Sequence, residues 1–133
     1  MNNEAFEIMC KSEEDTIALG KNFAKRLKGK EVICLIGDLG SGKTTFVKGL
    51  AQGLGIEEGY QVRSPTFTIV NEYPTKKGKL IHVDLYRVDN FDVEFFLGEG
   101  IVVIEWAKDL SLCDYILEFH FEKNGRKIVL KRC

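Results

Sequence analysis

The feature of this chain that most restricts its fold is a glycine-rich stretch, GDLGSGKTT, at residues 37–45. The run before it, EVICLI at 31–36, is almost continuously apolar, which is typical of a strand buried on both faces of a sheet. The run after it, TTFVKGLAQGL at 44–54, has apolar residues at helical spacing, and Gly53 and Gly55 can close a helix there. The sequence therefore predicts a strand, a glycine loop and a helix in that order.

Within this stretch, Gly37, Gly42, Lys43 and Thr44 match the GxxxxGK[ST] pattern of a phosphate-binding loop. Glycines let successive backbone N–H groups converge on one point, where they and the helix N-terminus stabilise a polyphosphate. We expect Lys43 to place charge near the β and γ phosphates and Thr44 to bind the Mg²⁺ that bridges them. Asp38 is unusual beside an anion, and capping of a turn through its side chain explains it as well as a catalytic role does. The predicted nucleotide-binding residues are Asp38, Leu39, Gly40, Ser41, Gly42, Lys43, Thr44 and Thr45.

Segments on either side of this unit predict further strands and one more helix. AFEIM at 5–9 predicts a short strand. Ser12 and the three acids after it predict the N-cap and first turn of a helix that ends near residues 28–30. GIVVIEW at 100–106 predicts another buried strand, which ends in an acid. Strands and helices therefore alternate through the first half of the chain.

Two antiparallel hairpins complete the prediction. One joins TFTIVNEY at 66–73 to KLIHVDLYRV at 79–88 through the turn PTKKG. The other joins YILEFHFE at 115–122 to RKIVLK at 126–131 through KNG, whose Asn and Gly tolerate positive φ. No repeat or linker interrupts the pattern, so we predict one domain over residues 1–133. Its fold class is α/β, a P-loop NTPase-like three-layer fold with a mixed parallel and antiparallel sheet flanked by helices.

Two carboxylates are candidates for the chemistry that a phosphate-binding loop lacks. Asp84 ends the apolar run LIHVD and Glu105 ends IVVIE, so each is expected at the edge of the sheet. Carboxylates in such places hold a metal ion or orient the attacking water. Either one could instead be a solvated strand terminus. The predicted catalytic residues are Lys43, Asp84 and Glu105, and the predicted metal ligands are Thr44 and Glu105.

Other side chains near these motifs have more than one interpretation. His82 and His120 are interpreted as packing residues, as is usual for a lone histidine in an apolar strand. Arg87 could neutralise charge on the γ phosphate or pair with a surface acid. Trp106 could belong to the core, cover the site or contact a partner. Arg87 and Trp106 are therefore possible accessory residues.

Composition and charge narrow the choice of function. Nineteen Lys and Arg against 20 Asp and Glu exclude a bulk electrostatic nucleic-acid binder, so any RNA would be held through a partner. No apolar run is long enough to cross a membrane, and MNNEAFEIMCKSEEDT lacks the basic start and apolar centre of a signal peptide. We expect a cytoplasmic protein with no membrane partner. Its four cysteines are widely spaced, with no CxxC pair, which predicts reduced thiols without a zinc site or disulfide.

The class of nucleotide enzyme follows from what accompanies the loop. GTPases carry an Asn-Lys-x-Asp segment and a DxxG switch, and the sequence has neither. A small-molecule or protein kinase shares the loop but needs a lid and an acceptor pocket, for which 133 residues leave little room. A nucleotide-sensing module without catalysis is a third alternative. The leading hypothesis is a minimal ATPase that passes its output to another protein.

Four ordered segments resemble the motifs of the TsaE family (also called YjeE), the bacterial ATPases of tRNA threonylcarbamoyladenosine biosynthesis. These segments are GDLGSGKTTFVKGLAQGLGI, VRSPTFTIVNEY, LIHVDLYRV and VVIEWA. The likeness spans about residues 12–107, and SPTFTIVNEY and HVDLYR are much more specific than the loop. The sequence departs from the family in a shorter stretch between DLYRV and VVIEW, which puts the expected helix there in doubt, and in EWAKDL, where EWPE is more typical.

The resemblance implies an ATPase that binds the TsaB and TsaD pair. Its hydrolysis of ATP would let that complex transfer threonylcarbamoyl repeatedly to adenosine 37 of ANN-decoding tRNAs, with tRNA contacted only through the complex. From the residues themselves we expect slow hydrolysis by the protein alone, because the sequence does not supply a complete water-orienting set with an arginine finger, so that a partner would complete the site. The resemblance also places Mg²⁺ on Thr44 and Glu105, gives Asp84 a role in hydrolysis, and puts Ser12 and Thr16 near the adenine. It implies a switch-like loop near the γ phosphate made of Ser64, Pro65, Thr66 and Thr68.

Overall fold

The fold is an α/β architecture built on one seven-stranded mixed sheet, and a computed structural model describes it for residues 5–133. The first four residues of the N-terminal stretch considered for a signal peptide lie outside this range. The strands are β1 (Ala5–Cys10), β2 (Val32–Ile36), β3 (Val70–Thr75), β4 (Gly78–Asp84), β5 (Ile101–Glu105), β6 (Tyr115–Glu122) and β7 (Gly125–Arg132). The helices are α1 (Glu13–Phe23) and α2 (Lys43–Leu54). This confirms the predicted α/β class and mixed sheet.

The order of strands in the sheet is β1-β7-β6-β2-β5-β4-β3. The central strand β2 pairs in parallel with β5 and β6, and β5 pairs in parallel with β4. The outer pairs, β3 with β4 and β6 with β7 and β7 with β1, are antiparallel. The two predicted hairpins therefore lie on opposite sides of a parallel centre, and the carboxyl ends of β2, β4 and β5 share one edge of the sheet.

Both α-helices lie on one face of the sheet. Ile33 and Leu35 of β2 belong to the same buried cluster as Phe46 and Leu50 of α2. The alternate residues of β2 point to the opposite face, since successive side chains of a strand alternate. That face is covered by the chain after β4 and by a 3-10 turn at Val93–Phe96, instead of a third α-helix.

The two helices pack closely because glycines lie at their contact. A Cβ added to Gly49 would overlap the carbonyl oxygen of Ile17 in α1, and one added to Gly20 would overlap the carbonyl oxygen of Phe46 in α2. Neither overlap can be relieved by moving a flexible side chain, because both involve backbone atoms. The glycines thus set the distance between α1 and α2.

The third strand begins later than the sequence predicted. The expected strand at 66–73 starts at Val70, and the residues before it form a turn in which Ile69 has a φ of +71°. Within that turn the Thr66 hydroxyl donates to Asp84, and the Thr68 hydroxyl donates to Asn71 at 2.7 Å. The Ile69 N–H donates to the Pro65 carbonyl at 2.7 Å, and a φ of +71° is incompatible with an extended strand, so strand pairing begins only after Ile69.

The structure also differs from the sequence prediction at the end of α1 and in the stretch between β4 and β5. Helix α1 begins at its predicted N-cap, where the Ser12 hydroxyl accepts the Asp15 N–H at 3.1 Å, but it ends at Phe23. A 3-10 turn at Ala24–Arg26 follows, and Leu27 is already extended, so the helix does not reach residues 28–30. The only regular element between Arg87 and Ile101 in the described part is the 3-10 turn named above.

The prediction that all four cysteines are reduced thiols is wrong for two of them. Cys34 in β2 and Cys113, just before β6, form a disulfide although 79 positions separate them in sequence. Pairing of β2 with β6 brings the two side chains together, which spacing along the chain cannot reveal. Cys10 and Cys133 carry free thiols.

Among residues 5–133, none of the helices has the length and hydropathy needed to cross a membrane.

Candidate functional site

The site is organised by a glycine loop, residues 37–42, between the end of β2 and the first turn of α2. Gly42 is the N-cap of α2 and has a φ of +105°, a conformation that residues with a Cβ rarely adopt. A Cβ on Gly37 would lie 2.7 Å from the Ser41 hydroxyl oxygen and 2.9 Å from the Phe119 carbonyl oxygen. Glycine is therefore required at both ends of the loop, by backbone conformation at one and by lack of space at the other.

A cavity of about 500 Å³ opens beside this loop. Most of the residues predicted to bind nucleotide line it, together with both carboxylates and part of the predicted switch-like loop. The predicted residues that line it are Ser12, Thr16, Leu39, Gly40, Gly42, Lys43, Thr44, Thr45, Ser64, Thr66, Asp84 and Glu105. Residues from five separate segments of the chain therefore meet at one place, at the N-terminus of α2.

The two carboxylates are adjacent because their strands are in parallel register. Asp84 ends β4 and Glu105 ends β5, and the two are paired positions in the sheet. Each is only 4% exposed. Lys43, the first residue of α2, is 5% exposed and supplies the positive charge nearest Glu105, with Nζ 3.8 Å from Oε1. Burial of these charges requires that each be paired or hydrogen-bonded.

Glu105 is held from two sides. Its Oε2 lies 2.6 Å from Nε2 of His82, which is fully buried in β4. Its Oε1 faces Lys43, whose ammonium group also donates to the Gly37 carbonyl and lies 4.5 Å from the ring centroid of Trp106. The carboxylate thus lies between a neutralising lysine and a histidine that fixes one of its oxygens.

Asp84 is held by the loop that precedes β3. The Thr66 hydroxyl donates to Oδ2 at 3.3 Å, and the Tyr86 N–H donates to Oδ1 at 2.9 Å. The Thr66 hydroxyl oxygen is also 2.8 Å from that of Ser64. A rearrangement of the 64–68 loop would therefore change the hydrogen bonding of this carboxylate directly.

Six of the predicted residues do not line the cavity. They are Asp38, Ser41, Pro65, Thr68, Arg87 and Trp106. Arg87 is exposed, and its guanidinium carbon lies 5.3 Å from the ring centroid of Phe67. Trp106 contacts Lys43 and Tyr86 from beside the site, at a φ of +62°.

The structure also tests the predictions made for Asp38 and for the two histidines. The Asp38 carbonyl accepts the Ser41 N–H at 3.1 Å, so Asp38 closes a turn through its backbone and not through its side chain. His82 is buried as predicted for a packing residue, but it also contacts Glu105. His120 is exposed and lies 3.2 Å from Glu118, so its interpretation as a packing residue is wrong.

Sequence reasoning missed one wall of the cavity. It is lined from the end of β1 and the start of α1 by Cys10, Lys11 and Glu13, and from the start of β7 by Gly125 and Arg126. These segments meet because β1 pairs with β7, with Cys10 opposite Arg126. No local pattern indicates that pairing, although the predicted helix cap at Ser12 was a nearby signal. Burial raises the pKa of the Cys10 thiol, and the positive charges of this wall belong to Lys11 and Arg126.

The donor set fits a magnesium-bound triphosphate. A lysine, a threonine and a glutamate line the cavity beside the glycine loop, at Lys43, Thr44 and Glu105. The described residues contain no group of three or more His, Cys, Asp or Glu that could hold a metal ion by itself. Mg²⁺ in nucleotide sites needs only one or two protein oxygens, because phosphates and water supply the others. Thr44 and Glu105 offer a hydroxyl and a carboxylate of this kind.

Comparison with known proteins gives a consistent result. The model of a family described as "Threonylcarbamoyl adenosine biosynthesis protein TsaE" matches residues 10–130. A protein of Aquifex aeolicus (strain VF5) named tRNA threonylcarbamoyladenosine biosynthesis protein TsaE is 55% identical over 127 residues, which are 95% of this chain and 96% of that protein. The protein of the same name from Bacillus subtilis (strain 168) is 40% identical over 124 residues, which cover 90% of this chain and 73% of that protein.

A solved structure agrees with these relatives. The crystal structure of YdiB from Bacillus subtilis has a TM-score of 0.79 and 34% sequence identity to this chain, and the likeness covers 99% of this chain and 88% of YdiB. The residues matched by the family model include the glycine loop, the 64–68 loop, Asp84 and Glu105. The chain therefore belongs to the TsaE family.

Proposed function

We propose that this protein binds ATP with Mg²⁺ and hydrolyses it as an accessory protein of tRNA threonylcarbamoyladenosine biosynthesis. In the cytoplasm it would act on a complex of TsaB and TsaD, which modifies adenosine 37 of ANN-decoding tRNAs. The relatives that it resembles are named for this biosynthesis. The observation that carries the ATPase proposal is one cavity where a glycine loop, a buried lysine and two adjacent buried carboxylates meet.

Phosphate binding would rest on the backbone. The first N–H groups of an α-helix have no partner within the helix, so the start of α2 presents free donors to the cavity. Glycines at 40 and 42 keep side chains away from this surface. Lys43 would exchange its contact with the Gly37 carbonyl for the β and γ phosphates, a stronger charge-assisted interaction. The loop and Lys43 together would therefore supply most of the affinity for nucleotide.

Hydrolysis would depend on the two carboxylates. Thr44 and Glu105 would hold Mg²⁺, which when bound neutralises charge on the β and γ phosphates. Asp84 is adjacent and accepts hydrogen bonds from Thr66 and the Tyr86 N–H, so it is positioned to orient a water molecule. Arg87, the nearest candidate for a neutralising arginine, packs on Phe67 at the surface. We therefore expect the protein alone to hydrolyse ATP slowly, and a partner to complete the site.

The first test measures nucleotide binding by titration calorimetry with a non-hydrolysable ATP analogue. Lys43→Ala should weaken binding roughly 30- to 150-fold, because a hydrogen bond to a charged group contributes about 2–3 kcal/mol. Lys48→Ala is the matched control, since Lys48 is an exposed lysine of the same helix. Equal affinity of the Lys43→Ala and control variants would contradict the proposed cradle.

The second test measures phosphate release with and without the TsaB and TsaD complex. Release should rise when the complex is added. Glu105→Ala should lower magnesium-dependent release and leave binding in EDTA nearly unchanged, and Asp84→Asn should lower release while nucleotide still binds. Transfer of labelled phosphate to an acceptor instead of water would indicate a kinase. Tight binding without release, even with the complex present, would indicate a nucleotide-sensing module.

A further inference from the structure

His82 is a fully buried side chain in direct contact with a carboxylate of the site. It lies in the middle of β4, and its Nε2 is 2.6 Å from Oε2 of Glu105 on the neighbouring strand. Leu80 of β4 and Val103 of β5 belong to the cluster on the helix-covered face. Because alternate residues of a strand share a face, His82, Asp84 and Glu105 lie on that same face, below the start of α2.

The surroundings of the imidazole decide which nitrogen carries its proton. Nδ1 is buried and has no hydrogen-bond partner within residues 5–133. A buried N–H without an acceptor costs about 1–3 kcal/mol, so the proton is better placed on Nε2, where the Glu105 carboxylate accepts it. We assign the Nε2–H tautomer on this basis.

This hydrogen bond makes the surroundings of the two Glu105 oxygens different. Oε2 is occupied by the His82 N–H, whereas Oε1 faces Lys43 at 3.8 Å, beyond hydrogen-bond distance. Without the bond to His82, the carboxylate could rotate about its last side-chain torsion, which is broad and roughly two-fold. A fixed carboxylate is already in its ligating orientation, so it loses less entropy when a metal ion binds.

We propose that His82 is a positioning residue that holds Glu105 with Oε1 directed toward the magnesium of a bound nucleotide. This inference rests on the proposed function. His82 would not touch the nucleotide or the metal. It would act only through Oε2 of Glu105, as the hydrogen-bonding partners of metal-binding carboxylates do in other proteins, where their loss lowers metal affinity about 10- to 100-fold. A packing role alone would require only the volume of the ring.

The test separates hydrogen bonding from volume with two variants. His82→Leu has a similar volume and no donor, whereas His82→Gln has an amide N–H that can reach the position of Nε2. Binding of a fluorescent non-hydrolysable ATP analogue is measured from EDTA to millimolar Mg²⁺. His82→Leu should raise the Mg²⁺ concentration for half-maximal tightening about 10- to 100-fold while affinity in EDTA stays within about two-fold, and His82→Gln should stay within about three-fold of the parent.

Controls distinguish the possible failures. His120→Leu, at the exposed histidine of β6, should show the parent's Mg²⁺ dependence. If His82→Leu does not fold, as judged by circular dichroism, His82→Asn removes the reach to Glu105 with a smaller polar side chain and should show the same shift. Parent-like Mg²⁺ dependence in the leucine or asparagine variant, or equal shifts in the leucine and glutamine variants, would overturn the inference. Absence of Mg²⁺-dependent binding by the parent would instead refute the proposed function.

Discussion

Substitution of Gly49 by alanine tests the packing of α1 on α2, because local and tertiary effects have opposite signs there. Gly49 lies inside α2, and alanine is favoured over glycine in a helix interior by about 1 kcal/mol. Helix propensity alone therefore predicts a more stable protein. In the folded structure, however, the new Cβ would overlap the carbonyl oxygen of Ile17, and both helices would have to separate.

The magnitude follows from the cost of overpacking. Inserting a methyl group into a packed contact costs about 1–3 kcal/mol, and a clash with backbone belongs at the upper end, about 3 kcal/mol. After subtraction of the propensity gain, the free energy of unfolding should fall by about 2 kcal/mol. With an unfolding entropy of about 2.1 cal/mol/K per residue, or roughly 0.28 kcal/mol/K for this chain, the melting temperature should fall by about 7 °C.

Urea unfolding and thermal melts followed by circular dichroism measure this change. Gln52→Ala is the control, because Gln52 is exposed on the same helix and its substitution should change stability by less than about 0.5 kcal/mol. A Gly49→Ala variant as stable as the parent, or more stable, would refute the close approach of the helices.

Three further effects on stability are expected. Reduction of the Cys34–Cys113 disulfide should lower the free energy of unfolding by about 4.5 kcal/mol, because it opens a loop of 79 residues; titration of four free thiols in the unreduced, denatured protein would contradict the bond. Ser12→Ala should cost about 1 kcal/mol by removing the N-cap of α1, and an unchanged urea midpoint would argue against that cap. Burial acts to raise the pKa of Glu31, but the backbone N–H groups of residues 28–31 outweigh it and lower the pKa below 4.5. Glu31→Gln should therefore be less stable than the parent at pH 7, and the difference should shrink as pH falls through the folded-state pKa; a difference in urea midpoint that does not vary with pH would contradict this.

Much of the fold is predictable because its elements are encoded locally. The buried strand, the glycine loop and the start of α2 follow from residues 31–54, and both hairpins follow from their turns. The late start of β3 was missed, since the backbone turn closed by the Ile69 N–H and the Pro65 carbonyl leaves no mark in strand periodicity. The missing helix between β4 and β5 was anticipated only through the shortness of that stretch.

The candidate site is less predictable because it is assembled from distant segments. Each carboxylate was recognised at the end of its own strand, but the pairing of Asp84 with Glu105 is a property of the sheet register. The contact of His82 with Glu105 joins the neighbouring strands β4 and β5, and the wall at Arg126 exists only because β7 lies beside β1. The disulfide was missed for the same reason, since β2 and β6 are neighbours in space and not in sequence.

The sequence by itself determined what each segment can be: a phosphate-type loop needs glycines and a lysine at set positions, and apolar periodicity specifies which runs are strands or helices. Such information is short-ranged, because it arises from the conformational preferences of neighbouring residues. Only the tertiary structure decided which carboxylate oxygen faces Lys43, which histidine holds Glu105 and which glycine cannot be replaced. These depend on the order and register of the strands, which are set by packing between residues far apart in the chain.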